Sequence, residues 1–90
     1  MGYRNIKIES SIGLHIKNSQ LIIGDKGVSF PLEDINCVLI ENQSVMVSSY
    51  MLQEFAKNEI ALYVCDEKHL PNAVLLPLVK HSRHFKMLTR

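Results

Sequence analysis

The chain is predicted to be α+β and mostly β, with six to seven short strands, an early β-hairpin and one α-helix. Three observations predict this. Alternating or continuous apolar runs recur from Ile6 to Leu76, as strands require. Glycine, proline and asparagine punctuate those runs at turn positions. Only one complete segment, Ser48 to Asn58, carries apolar residues at helical spacing.

The elements follow in order. "YRNIKIE" alternates around Ile6 and Ile8, as a half-buried strand does. "GLHIK" and "QLIIG" flank Asn18-Ser19, a pair suited to a tight turn, so Gly13 to Gly24 reads as a hairpin. Asp25-Lys26-Gly27 is a second turn in which Gly27 can take positive φ. "VSF" forms a short strand closed by Pro31, which cannot donate to a central ladder. "LEDI" reads as one helical turn or bend, and "CVLIE" as a continuous apolar strand buried on both faces. In the helix, Ser48 or Ser49 caps the first turn, Met51, Leu52, Phe55 and Ala56 share one face, and Asn58 stops it. A core-facing stripe explains those apolar residues better than a binding groove. "IALYVC" is then a strand, "DEKHLPN" a turn and "AVLLP" the last strand. "HSRHFKMLTR" opens a further helix, with Phe85 and Leu88 on one side and basic residues opposite. That pattern is unfinished at Arg90, as in a piece of a longer protein, so residues 1–78 read as the β-rich domain and 79–90 as the start of a helical one.

Composition narrows the function classes. The chain has 90 residues, 47% of them hydrophobic, enough for one small core. No stretch approaches the ~20 apolar residues of a membrane span, and the charged, alternating N-terminus is not a secretory signal. A cytoplasmic location follows, and Cys37 and Cys65, each in an apolar run, read as buried reduced thiols. Net charge is only +1, yet "KHSRHFKMLTR" holds four Lys/Arg, two His and no acid. On one helical face Lys80, Arg83 and Lys86 would suit phosphate contact, although a solvated basic surface fits the same pattern.

The chemistry-bearing letters elsewhere do not form a site. Cys65 and His69 fall short of the recurring Cys/His spacing of zinc sites, and strand alternation sends Cys65 and Asp66 to opposite faces. Asp66 and Glu67, adjacent in a turn, diverge and read as solvated or turn-capping acids. His81 and His84 share a helical face but have no acid or cysteine nearby. No Gly-rich phosphate loop and no nucleophile elbow occurs.

The order of motifs carries a resemblance. "M-x-aromatic-R", "LHIKNSQLII", "FPLEDINCVLIEN", "SSYMLQEFAKNEI" and "ALYVCDEKHLPNAVLLP" follow one another and lead to a basic, His-rich exit. This succession resembles, along the whole chain, the N-terminal domain of the CRISPR-associated spacer-acquisition integrase, the Cas-one family, in the form accompanying type II systems. The resemblance implies a β-rich domain joined to a larger helical domain. There a Glu, a His and a further carboxylate bind divalent metal (Mg or Mn), and they cut and join DNA strands. No residue of this chain inherits those roles, so no catalytic and no metal residue is assigned to it. Glu41, Asp66 and Glu67 gain none, and the segment alone is expected to be inactive. The implied role is homodimerisation and a platform for double-stranded DNA, both prespacer and CRISPR repeat. A Cas-two family protein bridges two dimers, and the parent's task is antiviral spacer acquisition. Lys80, His81, Arg83 and Lys86 stand where the family chain meets DNA. Some members carry a ring on the first hairpin that stacks on the duplex end. Here that region is Ser10 to Gly13 and has no ring, so end-stacking would need Tyr3 or His15 to substitute. Tyr3 itself stands where close relatives tend to have Trp.

Two other readings compete. One is a stand-alone β-rich module that dimerises through an exposed strand. The other is a metal-binding regulator using Cys65, His69, His81 and His84.

Overall fold

The computed structural model describes residues 2–24 and 27–78. Seven strands and one helix run in the order β1 (Arg4–Ile8), β2 (Leu14–Lys17), β3 (Gln20–Ile23), β4 (Val28–Pro31), a 3-10 turn (Leu32–Asp34), β5 (Ile35–Ile40), α1 (Ser49–Lys57), β6 (Ala61–Cys65) and β7 (Pro71–Leu75). The α+β reading holds. The helix expected after residue 79, and with it the second domain, lies outside the described residues.

Two sheets form. One has the order β1-β5-β6-β7, with β1, β5 and β6 mutually parallel and β7 antiparallel at the edge. The other is the antiparallel meander β2-β3-β4. Asn18 and Ser19, at φ 54° and 59°, make the left-handed turn that joins β2 to β3, matching the twist of the strands. Gly27 takes φ 78° as its position in the next turn requires. Parallel neighbours need crossover connections. The small sheet supplies the one from β1 to β5, and α1 supplies the one from β5 to β6.

Both crossovers lie on the same side of the large sheet, and the core sits between. Ile6, Val38 and Leu62 from the large sheet meet Leu21 of β3, and Met51 and Phe55 of α1. Ser48 caps α1 by accepting the Met51 N–H at 3.1 Å, and Asn58 closes it through its side-chain amide to the Glu54 carbonyl.

One-sided coverage corrects two expectations. The strand "CVLIE" is not buried on both faces: Val38 and Ile40 are buried, while Cys37 and Leu39 on the other face are half-buried. That also leaves Cys37 half-buried where a buried thiol was expected; Cys65 is buried. The last strand starts at Pro71 rather than Ala73, and all five of its residues are exposed, because α1 packs on β6 and β2 and leaves β7 uncovered.

Candidate functional site

Three parallel strands that end together bring their following residues together. Glu9 follows β1, Glu41 follows β5 and Asp66 follows β6. Glu41, its side chain only 12% exposed, is the centre: Lys7 Nζ lies 3.7 Å from it and His69 Nδ1 3.5 Å. Lys7 also reaches Glu9 at 3.4 Å. The Glu41 charge, and after it Glu9, raises the Lys7 pKa above its ordinary value.

His69 is held there by the β6–β7 turn. Asp66 Oδ1 accepts from the Lys68 N–H at 2.9 Å and the Leu70 N–H at 3.1 Å, and the Asp66 carbonyl accepts from the His69 N–H. His69 consequently adopts φ 64°. Asp66 is thus the turn-capping acid that its position suggested, and Glu67 is exposed. Beneath this turn Cys65 has its pKa raised, first by burial and then by the Glu41 and Asp66 charges. Burial raises Cys37 as well. A raised pKa leaves each a neutral thiol near neutrality, the opposite of an activated nucleophile. His69 turns to Glu41. Among the described residues no three His, Cys, Asp or Glu side chains are placed to share a metal ion. The donor set for a divalent metal is therefore not found in the described part of the chain.

The two candidate rings are both at the surface. Tyr3 is 71% exposed, and His15 is exposed on β2. Tyr3 is positioned by its own N–H, which donates to the Asp34 carbonyl at 3.0 Å, and by Gly2, where a Cβ would collide with the Ile35 backbone. Arg4 lies between rings, its guanidinium carbon 5.6 Å from the Tyr3 centroid and 5.3 Å from that of Phe30. Arg4 shares the face of Ile6 and Ile8, so it closes the rim of the core beside Phe30. Sequence reading missed this stack because its partners are 26 positions apart and on different sheets. It missed Glu41 as the centre of the polar cluster because only the parallel strand order reveals which residues meet.

Lys80, His81, Arg83 and Lys86, with His84, lie outside the described residues. Their charge still matters. Residues 1–79 carry six basic and nine acidic side chains, net −3, whereas residues 80–90 carry four basic and no acidic ones, net +4. The positive charge that a phosphate backbone attracts is thus concentrated after the β domain.

No family model matches the chain. The CRISPR-associated endonuclease Cas1 of Neisseria meningitidis serogroup C (strain 8013) is 33% identical over 90 residues, covering 98% of this chain and 30% of that relative. The chain is a Cas1-family N-terminal domain. A CAS1 protein from Thermotoga maritima has the same fold, at a TM-score of 0.71 and 14% identity over 82% of the Cas1-family domain and 24% of that chain. A casposase bound to integration product superposes at a TM-score of 0.68 and 16% identity, over 83% of the domain and 24% of that chain. The Cas1-family domain therefore spans about a third or less of the length of these relatives. Among its described residues no helix is long and apolar enough to cross a membrane.

Proposed function

We propose that this domain is the N-terminal assembly and DNA-positioning part of a CRISPR-associated DNA endonuclease/integrase, which captures foreign DNA and inserts it as spacers. The observation that carries this reading is the 33% identity to a Cas1 endonuclease across 98% of the chain. In the full-length parent, divalent metal (Mg or Mn) supplies cleavage and joining chemistry outside this domain. The partners are a second copy, a Cas-two family protein and duplex DNA, all met in the cytoplasm.

The charge division supports a narrower statement about how DNA is held. A body of net −3 repels a polyanion, so contact belongs to the basic segment, through Lys80, His81, Arg83 and Lys86. Such contacts position the duplex without reading bases, which suits capture of arbitrary sequences. The test is duplex binding by the full-length parent across a salt series. Lys80→Ala/Arg83→Ala should weaken binding for every sequence alike and lower the salt slope by about 0.9 for each phosphate no longer neutralised. Unchanged affinity and slope would remove these residues from the interface.

A further inference from the structure

The layer that covers the large sheet stops one strand short. α1 buries Met51 and Phe55, but its apolar stripe is wider than that contact: Leu52 and Ala56, one position further round the helix, are only half-buried. On β7, Leu75 lies on the same sheet face as its neighbour Leu62, yet it is 50% exposed where Leu62 is 2% exposed. Between helix and strand runs a groove lined by apolar side chains alone. Leu52 and Ala56 form one wall, Leu75, Leu76 and Pro77 the other, and Leu62 lies in the floor. Its volume, about 70 Å³, is far below the ~300 Å³ at which small-molecule sites begin, so it suits inserted side chains rather than a free ligand.

We infer that this groove seats the chain's own next segment, residues 80–90, docked as a helix beside α1 with Phe85 and Leu88 in the groove. Position selects this occupant. The outer wall of the groove is the chain leaving β7, so residues 76–79 are the whole connection, four residues where strand and helix are usually joined by 2–6. A segment tethered so closely meets the groove at an effective concentration of about millimolar, which a separate partner does not reach. Dimensions agree as well. Eleven residues of helix run about 16 Å, and β7 is about 17 Å long. Packed helices lie about 8–10 Å apart, two strand spacings, so a neighbour of α1 falls over the uncovered β7. The side-chain pattern is the third argument. Phe85 and Leu88, at i and i+3, share one side of a helix, while Lys80 and Arg83 fall on the other. Docking by the apolar side leaves those charges in water and puts none into a groove whose own stretch, Leu70 to Val79, has no charged residue.

The inference rests on the DNA-positioning role proposed above and gives the basic side a direction: Lys80 and Arg83 face outward from the body, away from α1. Amide exchange on the 90-residue chain tests it first. Amides of residues 80–90 should exchange at least about tenfold more slowly than in an unfolded chain. Ala56→Glu, on the groove wall, should remove most of that protection while the β5 amides keep theirs, a loss that a helix standing free of the groove would not show. Cross-linking tests it independently of any effect of Ala56→Glu on folding. In a Cys37→Ser background, Ala56→Cys should form a disulfide with Phe85→Cys or Leu88→Cys and not with Arg83→Cys, because only the apolar side comes within the ~7 Å between Cα atoms that a disulfide spans. The bond should form within one molecule, at a yield unchanged by dilution. Exchange of residues 80–90 at the unfolded rate, protection that survives Ala56→Glu, a bond to Arg83→Cys as readily as to the apolar positions, or bonds formed only between molecules would overturn the inference. If docking fails but Lys80→Ala/Arg83→Ala still lowers the salt slope of the full-length parent, the DNA-positioning reading stands alone; if docking holds and the slope is unchanged, that reading falls.

Discussion

Deleting the Asp66 side chain measures how far the β6–β7 turn holds itself. Asp66→Ala removes the acceptor of two hydrogen bonds, from the Lys68 and Leu70 N–H groups at 2.9 and 3.1 Å. Each such bond is worth about 0.5–1.5 kcal/mol net. The turn is open to solvent, which replaces part of what is removed, so the lower half of that range applies to each. Against them stands His69 at φ 64°, a conformation costing a non-glycine residue roughly 1 kcal/mol. With the bonds gone, that strain is no longer offset and the turn relaxes. The total destabilisation expected is about 1–2 kcal/mol. For a domain of this size each kcal/mol lowers Tm by about 4–8 °C, so a fall of roughly 5–15 °C is expected. Asp66→Asn keeps an oxygen at Oδ1 and should lose less than half as much. Urea unfolding with an unchanged m-value measures the difference, and amide exchange at Lys68 and Leu70 shows whether it is local. If Asp66→Ala stays within about 0.5 kcal/mol of the parent, or Asn is as damaging as Ala, the turn is not held in this way.

Three further outcomes are expected. Ser48→Ala, which removes the acceptor for the Met51 N–H, should cost about 1 kcal/mol in urea unfolding and fray the first turn of α1 in amide exchange. Phe55→Ala empties a site only 2% exposed and should cost about 3–5 kcal/mol; a chain this short has little more than that in reserve, so circular dichroism should show partial unfolding at about 37 °C. Stability should fall in alkali: both thiols have raised pKa values in the folded state, so the unfolded chain releases their protons first. The contribution is therefore full below about pH 8.5 and lost as pH rises through the folded values. Lys7, also raised, adds a loss in the same direction above about pH 10.4. Replacing Cys37 and Cys65 by Ala should flatten the first limb of a chemical-denaturation pH profile and leave the second.

Local features are legible in the sequence because local chemistry makes them. Asn18-Ser19 and Gly27 mark turns because they tolerate positive φ, and Ser48 marks a helix start because its hydroxyl takes an orphan N–H. Cys65, Asp66 and His69 read correctly as a strand end and a turn, since alternation and Asx-type bonding act within a few residues. The polar cluster at Glu41 was not legible, and neither was the Arg4 stack between Tyr3 and Phe30. Each joins residues whose proximity depends on which strands are neighbours, and alternation says nothing about neighbours.

By itself the sequence determined the inventory of elements, the one helix, the apolar residues available for a core, and the order of motifs that places the chain in its family. These depend on periods of about 2 and 3.6 residues and on turn chemistry, which are written along the chain. The tertiary structure alone decided which apolar residues are covered. "CVLIE" and "AVLLP" are both apolar enough to be buried, yet one lies at the centre of a sheet with a single open face, and the other at an edge beyond the reach of α1. Hydrophobicity says that a strand gains by burial. Only the placement of both crossovers on one side of the sheet says which strand is left exposed.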